Sequence, residues 1–138
     1  MKKAQRIEMW VHQNMKSSSA VGYVTASQIN RDLRGDCRQH AMLSAALCRA
    51  AGVPARTALG LVYVNDDKEG PVLGFHMWTE VWIKGNWLPL DATLGQGGIG
   101  AGHLKISDHS WTDTQTLAPL LPVIRAMGKI KVEVLKVE

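Results

Sequence analysis

The sequence is poor in cysteine and in aromatic residues other than tryptophan, with two cysteines, two tyrosines and one phenylalanine among 138 residues. No apolar run approaches the roughly 20 residues that a membrane-spanning helix needs, which argues against a membrane protein. The N-terminal segment is basic but polar throughout, so it lacks the apolar centre of a signal peptide. As written, the chain is predicted to be cytoplasmic, although a domain cut from a longer, exported parent would begin in the same abrupt way.

Basic residues exceed acidic ones, but they form no patch. The chain carries 16 Lys and Arg against 12 Asp and Glu, for a net charge of +4. Nucleic-acid-binding domains cluster such charge and interleave it with stacking aromatic residues, and this chain does neither. The composition, 46% hydrophobic and 20% charged, is that of a globular protein able to bury one core. We therefore predict a single domain over residues 1–138, without nucleic-acid or membrane partners and with an undetermined oligomeric state.

The hydrophobic period changes from helical to alternating along the chain. Helices are predicted at residues 4–16, between Thr25 and Gly35, at 37–51 and at 117–127, and strands at 55–64, 73–83, 87–91 and 130–135. Helices first and a mostly antiparallel sheet afterwards predict an α+β fold. The helix at 37–51 is apolar almost all round, so it is predicted to be central and buried.

Cys37 is the candidate nucleophile because it begins this central helix. Asp36 and Gln39 form the Asp-x-x-Gln pattern of a capping box just before and inside its first turn. The free backbone N–H groups and the helix dipole favour thiolate there, and the same groups can stabilise a developing oxyanion. Cys48 shares the helix at a distance of about 16 Å, too far for a disulfide. The alternative for Cys37 is the role predicted for Cys48, a small buried core residue.

His76 and Asp91 are the candidate base and its orienting carboxylate. A thiolate that acts on acyl groups needs a proton acceptor that later protonates the leaving group. His76 lies inside one predicted strand, where a structural histidine is the alternative. Asp91 ends the next strand, and strand interiors are poor in aspartate, so this residue needs a partner.

The register of the hairpin decides whether that partner is His76. A two-residue turn at 85–86 would pair Asp91 with Glu80, whereas a four-residue loop at 83–86 would pair it with Trp78, diagonal to His76 and within side-chain reach. We predict the four-residue or a bulged loop.

These segments resemble the core of the transglutaminase-like superfamily. The resemblance is carried by three blocks: Gly35-Asp36-Cys37 with the helix leading to Gly52-Val53-Pro54, His76-Met77-Trp78-Thr79-Glu80-Val81, and Trp87-Leu88-Pro89-Leu90-Asp91-Ala92-Thr93. It implies a papain-like α+β fold, with the nucleophile helix packed on a mostly antiparallel sheet, and a catalytic triad of Cys37, His76 and Asp91. The family includes transglutaminases, peptide N-glycanases and microbial cysteine proteases, so a peptide or protein substrate is implied. Tyr23 and Gln28 are the candidates for a second oxyanion donor.

Several other residues have rival interpretations. His40, one turn after Cys37, could be a competing base or half of a Cys-x-x-His metal site that His76 and Asp91 complete. No second pair with comparable spacing appears, so we predict no metal and no cofactor, and His40 is assigned to the substrate pocket. Trp78 either packs within the hairpin or forms a wall of the substrate site. His103 and His109 are predicted to be surface residues.

The sequence therefore predicts cysteine-dependent acyl transfer on amide bonds through a thioester intermediate. Water as the acceptor makes the chain a cysteine protease or amidase, and an amine makes it a transglutaminase. The alternative is a non-catalytic module that keeps the fold to bind peptides or proteins.

Overall fold

The computed structural model describes residues 1–111 and 118–133. The helices are α1 (Lys2–Asn14), α2 (Ala26–Asp32), α3 (Cys37–Ala50) and α4 (Leu121–Ala126), with a 3-10 turn at Ala118–Leu120. The strands are β1 (Lys16–Ser17), β2 (Arg34–Gly35), β3 (Ala55–Asp66), β4 (Gly70–Ile83), β5 (Asn86–Leu90) and β6 (His103–His109). The predicted α+β class is confirmed. Within the described ranges, none of the helices is both long and apolar enough to cross a bilayer.

Four strands form one antiparallel sheet in the order β5-β4-β3-β6, while β1 and β2 make a short parallel pair. The connection from β4 to β5 is a two-residue turn of Lys84 and Gly85, because Ile83 already pairs with Asn86. Both turn residues have positive φ, 51° and 84°, which is the requirement of a type I′ hairpin turn. The predicted four-residue or bulged loop is therefore wrong.

The register that this turn produces is nevertheless the predicted one. Thr79 pairs with Leu90, so Asp91 continues the strand opposite Trp78 and diagonal to His76. The two-residue turn weighed from the sequence was at 85–86, with Gly85 first, whereas the turn lies at 84–85 and glycine takes its second position. Shifting the turn by one residue moves the pairing by two, which keeps His76 and Asp91 on one face.

The main core lies between the helices and one face of the sheet. Leu43 of α3 belongs to one buried cluster with Leu59 of β3 and Met77 of β4. The hydroxyl of Thr79 donates a hydrogen bond to the carbonyl of Ala41 at 3.0 Å. Burial of each large apolar side chain contributes roughly 1.5–3 kcal/mol to stability, so the apolar cluster fixes α3 on the sheet. The position of the first residue of α3 follows from it.

Strand β6 lies outside every strand that the sequence pattern predicts. It pairs with β3, and the register shifts at Gly60, where Leu59 pairs with Ser107 but Gly60 pairs with Lys105. A Cβ atom on Gly60 would lie 2.0 Å from the carbonyl oxygen of Leu104, so only glycine permits this approach. The bulge and the close approach at Gly60 allow β6 to pair with β3 at the edge of the sheet.

The C-terminal predictions are only partly met. The predicted helix at 117–127 is the 3-10 turn followed by the shorter α4, with Pro122 in its first turn, where a missing N–H is tolerated. Residues 130–133 form no strand. Residue 117 and residues 134–135 of these predicted elements lie outside the described residues.

Candidate active site

The N-terminus of α3 is built by a capping box. The Asp36 side chain accepts a hydrogen bond from the backbone N–H of Arg38 at 2.9 Å, and Gln39 Oε1 accepts one from the N–H of Asp36 at 3.0 Å. The amide of Gln39 also donates to the carbonyl of Gly22 at 2.8 Å. Cys37 is consequently held as the first helical residue, half-buried, with its thiol free of any disulfide.

His76 and Asp91 meet as the hairpin register requires. His76 Nε2 lies 2.6 Å from Asp91 Oδ2, and the two side chains are 8% and 1% exposed. Because a carboxylate only accepts hydrogen bonds, the proton of this bond sits on Nε2, and Nδ1 is the ring nitrogen left for other contacts. Cys37 is the other side chain that acts on His76, and its interaction with the ring raises the pKa of His76. The three predicted site residues are thus brought together.

Burial and hydrogen bonding act in opposite directions on this pair. Burial lowers the pKa of His76, but the hydrogen bonds and charges of Asp91 and Cys37 outweigh it and raise that pKa to about 9. Burial raises the pKa of Asp91, and its hydrogen bonds with His76 and His103 and to the N–H of Thr93 lower it to about 2. The arrangement therefore favours an imidazolium facing a carboxylate at neutral pH.

Asp91 is held from the backbone side as well. Its Oδ1 accepts hydrogen bonds from the N–H groups of Thr93 at 2.9 Å and Leu94 at 3.4 Å. Its own N–H donates to Glu8 Oε1 of α1 at 3.0 Å. Glu8 is itself buried, and this burial raises its pKa. Helix α1 therefore helps to position the segment that carries the carboxylate.

His103 was expected on the surface, and this expectation is wrong. Its Nε2 lies 3.0 Å from Asp91 Oδ2, the oxygen that also faces His76, and its side chain is 4% exposed. The ring contacts Trp78 edge to face, with centroids 5.2 Å apart. Sequence reasoning missed it because residues 95–102, five of them glycine, carry no pattern that predicts strand β6 or its antiparallel pairing with β3. His109, at the other end of β6, is half-buried and accepts a hydrogen bond from the N–H of Trp111 at 2.8 Å.

Trp78 and His40 do not fit the predicted substrate pocket. Trp78 is 2% exposed and stacks on the His76 ring with centroids 6.2 Å apart, so it supports that ring from within the protein. His40 is 4% exposed, and its Nδ1 donates to the carbonyl of Asp36 at 2.8 Å. Burial lowers the pKa of His40, which disfavours its cationic form. Neither side chain offers a surface to a substrate.

The two candidates for a second oxyanion donor differ in their contacts. The side chain of Gln28 is used in the N-terminal cap of α2, where Oε1 accepts a hydrogen bond from the N–H of Thr25 at 2.9 Å. Tyr23 lies between Trp111, at 5.5 Å between ring centroids, and the guanidinium of Arg38, at 5.1 Å. Tyr23 therefore stays a candidate, while Gln28 is accounted for by the helix cap.

One group of side chains within the described residues has metal-ligating geometry. One ligand atom each from His76, Asp91 and His103 lies within 4.8 Å of the others. It differs from the Cys37 and His40 pairing considered from the sequence. The same atoms are joined by hydrogen bonds of 2.6 and 3.0 Å, so an ion would have to replace both bonds.

The helices packed on an antiparallel sheet have the α+β fold shared by transglutaminase-like and papain-like proteins. The model of the transglutaminase-like superfamily core matches residues 1–92. The chain belongs to the transglutaminase-like superfamily.

Two similar proteins have solved structures. A candidate cysteine protease from Cytophaga hutchinsonii is 30% identical with a TM-score of 0.66, and the match covers 78% of this chain and 35% of that one. LapG from Legionella pneumophila, solved calcium-bound and EGTA-treated, is 16% identical with a TM-score of 0.54 in both forms. These matches cover 79% and 80% of this chain and 64% and 63% of LapG, and they show the fold alone. The chain thus spans about a third of the Cytophaga protein. A search of curated proteins finds no significant match.

Proposed function

We propose that the chain catalyses cysteine-dependent acyl transfer on amide bonds of a peptide or protein. Cys37 is the nucleophile, His76 the general base and acid, and Asp91 the carboxylate that orients His76. The observation that carries this proposal is one buried imidazole that is held at 2.6 Å by Asp91 and whose pKa is also raised by a cysteine at a helix N-terminus. The family and the similarity to a candidate cysteine protease suggest an enzyme of this kind.

In the proposed reaction Cys37, His76 and Asp91 each have a distinct role. The thiolate sulfur of Cys37 attacks the amide carbon, and the backbone N–H of Cys37 stabilises the oxyanion that forms. His76 gives its Nδ1 proton to the departing amine, which leaves an acyl group on the sulfur as a thioester. An acceptor then attacks the thioester while His76 takes its proton, and the free thiolate returns. Asp91 keeps the imidazole in the Nε2–H tautomer throughout, so Nδ1 faces the chemistry.

The acceptor determines whether this chemistry is hydrolysis or transamidation. We favour water, because residues 1–111 and 118–133 present no evident site for a second amine, which leaves the thioester open to solvent. The similarity to a candidate cysteine protease supports the same choice.

The test is a library of peptides and simple amides incubated with the wild type, Cys37→Ala and Cys48→Ala. We expect cleavage by the wild type and by Cys48→Ala, no cleavage by Cys37→Ala, and an acyl adduct on Cys37 by mass spectrometry. An added primary amine separates the acceptors, because a transamidase would incorporate it at the expense of hydrolysis. No adduct, together with iodoacetamide labelling of Cys37 as slow as that of Cys48, would refute the proposal and favour the peptide-binding module.

A further inference from the structure

The carboxylate of Asp91 faces two imidazoles, although a catalytic triad uses only one. His76 Nε2 and His103 Nε2 lie 2.6 and 3.0 Å from the same oxygen, Oδ2. The other oxygen, Oδ1, accepts from the backbone N–H groups of Thr93 and Leu94. Four hydrogen-bond contacts therefore surround a carboxylate whose side chain is 1% exposed.

The chemistry of the carboxylate determines which atoms carry protons. Asp91 is ionised at neutral pH, because its hydrogen bonds outweigh the effect of burial and lower its pKa to about 2. An ionised carboxylate only accepts, so both Nε2 atoms must be donors. His103 can donate as a neutral imidazole, which adds no further charge to the buried site.

We propose that His103 is a positioning residue, whose Nε2–H bond to Oδ2 keeps Asp91 ionised and turned toward His76. This inference rests on the proposed roles of Cys37, His76 and Asp91. Without the second donor, a buried carboxylate loses one of the interactions that favour its anionic form, and its side chain loses one of the contacts that fix its orientation.

The backbone around His103 makes its placement firm. The backbone of His103 pairs with that of Val62 in β3, and the N–H of Tyr63 donates a hydrogen bond to the carbonyl of Gly102 at 2.8 Å. Two residues further along β6, Lys105 forms an ion pair with Glu80 of β4 at 2.7 Å. The imidazole therefore comes from a strand that is fastened to β3 by backbone pairing and to β4 by the Lys105–Glu80 ion pair.

The ring of His103 is also held by packing. Besides its edge-to-face contact with Trp78, its centroid lies 5.5 Å from that of His76 at an interplanar angle of 62°. The titratable groups that face Asp91 from the surrounding elements are Glu8 of α1, His40 of α3, His76 of β4 and His103 of β6, with Cys37 of α3 acting through His76. Packing and hydrogen bonding make different predictions for substitutions, which allows them to be separated.

The experiment compares His103→Phe with His103→Gln by the rate of Cys37 alkylation with iodoacetamide between pH 4 and 10. Phe keeps an aromatic ring but donates nothing, whereas the Gln amide can place an N–H near the position of Nε2. Losing a hydrogen bond to a charged group predicts a rate at pH 6 that falls roughly tenfold for His103→Phe. His103→Gln is expected to stay within about threefold of the wild type. His109→Phe makes the same change at the other end of β6 and is expected to leave the profile unchanged.

An alkylation profile of His103→Phe that equals the wild type, or moves to lower pH, overturns the proposal. Equal losses in the Phe and Gln variants also overturn it, because they assign the effect to the packing of the ring. Failure of the proposed function looks different, since Cys37 of the wild type would then label slowly and His76→Ala would change nothing.

A measurement on the unaltered protein covers the case in which His103→Phe does not fold. Imidazole ¹⁵N chemical shifts at pH 8 report which ring nitrogen carries the proton. A protonated Nε2 on His103 supports the proposal. An unprotonated Nε2 overturns it, because that atom could not donate to Asp91.

Discussion

Replacing Asp91 by asparagine tests the electrostatic core of the site. The substitution keeps the size of the side chain but removes the negative charge that faces His76 at 2.6 Å. Burial of His76 stays as it is. Since burial lowers the pKa of His76 and only the interactions with Cys37 would still raise it, we expect that pKa to fall from about 9 toward its ordinary value of 6.5.

The magnitude follows from the two pKa values. The difference between 6.5 and about 9 is about 2.5, which corresponds to about 3 kcal/mol in favour of the imidazolium. At pH 7.5 an imidazole with a pKa of about 9 is roughly 97% protonated. One with a pKa of 6.5 or less is at most about 10% protonated at that pH. The imidazolium beside Cys37 is therefore largely lost, and alkylation of Cys37 at pH 7.5 is expected to fall by roughly tenfold.

Two assays check this expectation. An NMR titration of the His76 ring measures its pKa directly, and the iodoacetamide rate at Cys37 measures the chemical consequence. Labelling of Cys48 in the same samples is the internal control, because that thiol lies away from the pair. A titration midpoint near 9 in Asp91→Asn, or an alkylation profile identical to the wild type, would refute the reasoning.

The same pair makes stability depend on pH. The folded-state pKa of His76 is raised, so its contribution is complete below about pH 6.5 and is lost as the pH rises through about 9. The folded-state pKa of Asp91 is lowered, so its contribution is present above its ordinary value of 3.8 and is lost as the pH falls through about 2. Denaturant unfolding should therefore show the greatest stability from this pair between about pH 4 and 6.5, and Asp91→Asn should flatten that dependence.

Three further predictions concern the scaffold of the site. Burial raises the pKa of Cys48 to about 11, so only about one thiol in 10⁴ is ionised there at pH 7, and mass spectrometry should find it modified long after the nucleophile. Gly60→Ala should lower the unfolding free energy by roughly 1–3 kcal/mol, since its Cβ would lie 2.0 Å from the Leu104 carbonyl oxygen. Gly74→Ala is the control, because the space around Gly74 is open and its unfolding free energy should not fall. Equal melting temperatures of the two variants would contradict this. Asp36→Ala should cost about 1 kcal/mol by thermal unfolding, while Asp36→Ser keeps a capping oxygen and should lose less; a reversed order would argue against the cap.

Local chemistry explains which features could be predicted from the sequence. Asp36 and Gln39 sit three residues apart, so their capping box, and with it the first residue of α3, follows from neighbours in the chain. The pairing of β4 with β5 follows from a short turn, and the face shared by His76 and Asp91 follows from the two-residue period of strands. Even a wrong assignment of the turn left those two residues on one face.

Longer-range features escaped prediction because nothing local encodes them. Lys84 adopts a left-handed conformation that its residue type does not signal, since lysine shows no preference for positive φ. Trp78 and His40 carry ring nitrogens and lie close in the sequence to the candidate catalytic residues. Only the packing around them shows that both side chains are buried.

The sequence by itself determined the helix that starts at Cys37 and the hairpin that joins His76 to Asp91, because each depends on contacts between near neighbours. Only the tertiary structure decided that β6 returns to β3 at Gly60 and that His103 reaches the same oxygen as His76. The physical reason is the segment between Asp91 and His103: it has eleven residues, five of them glycine, and no periodicity within it specifies where the chain returns to the sheet.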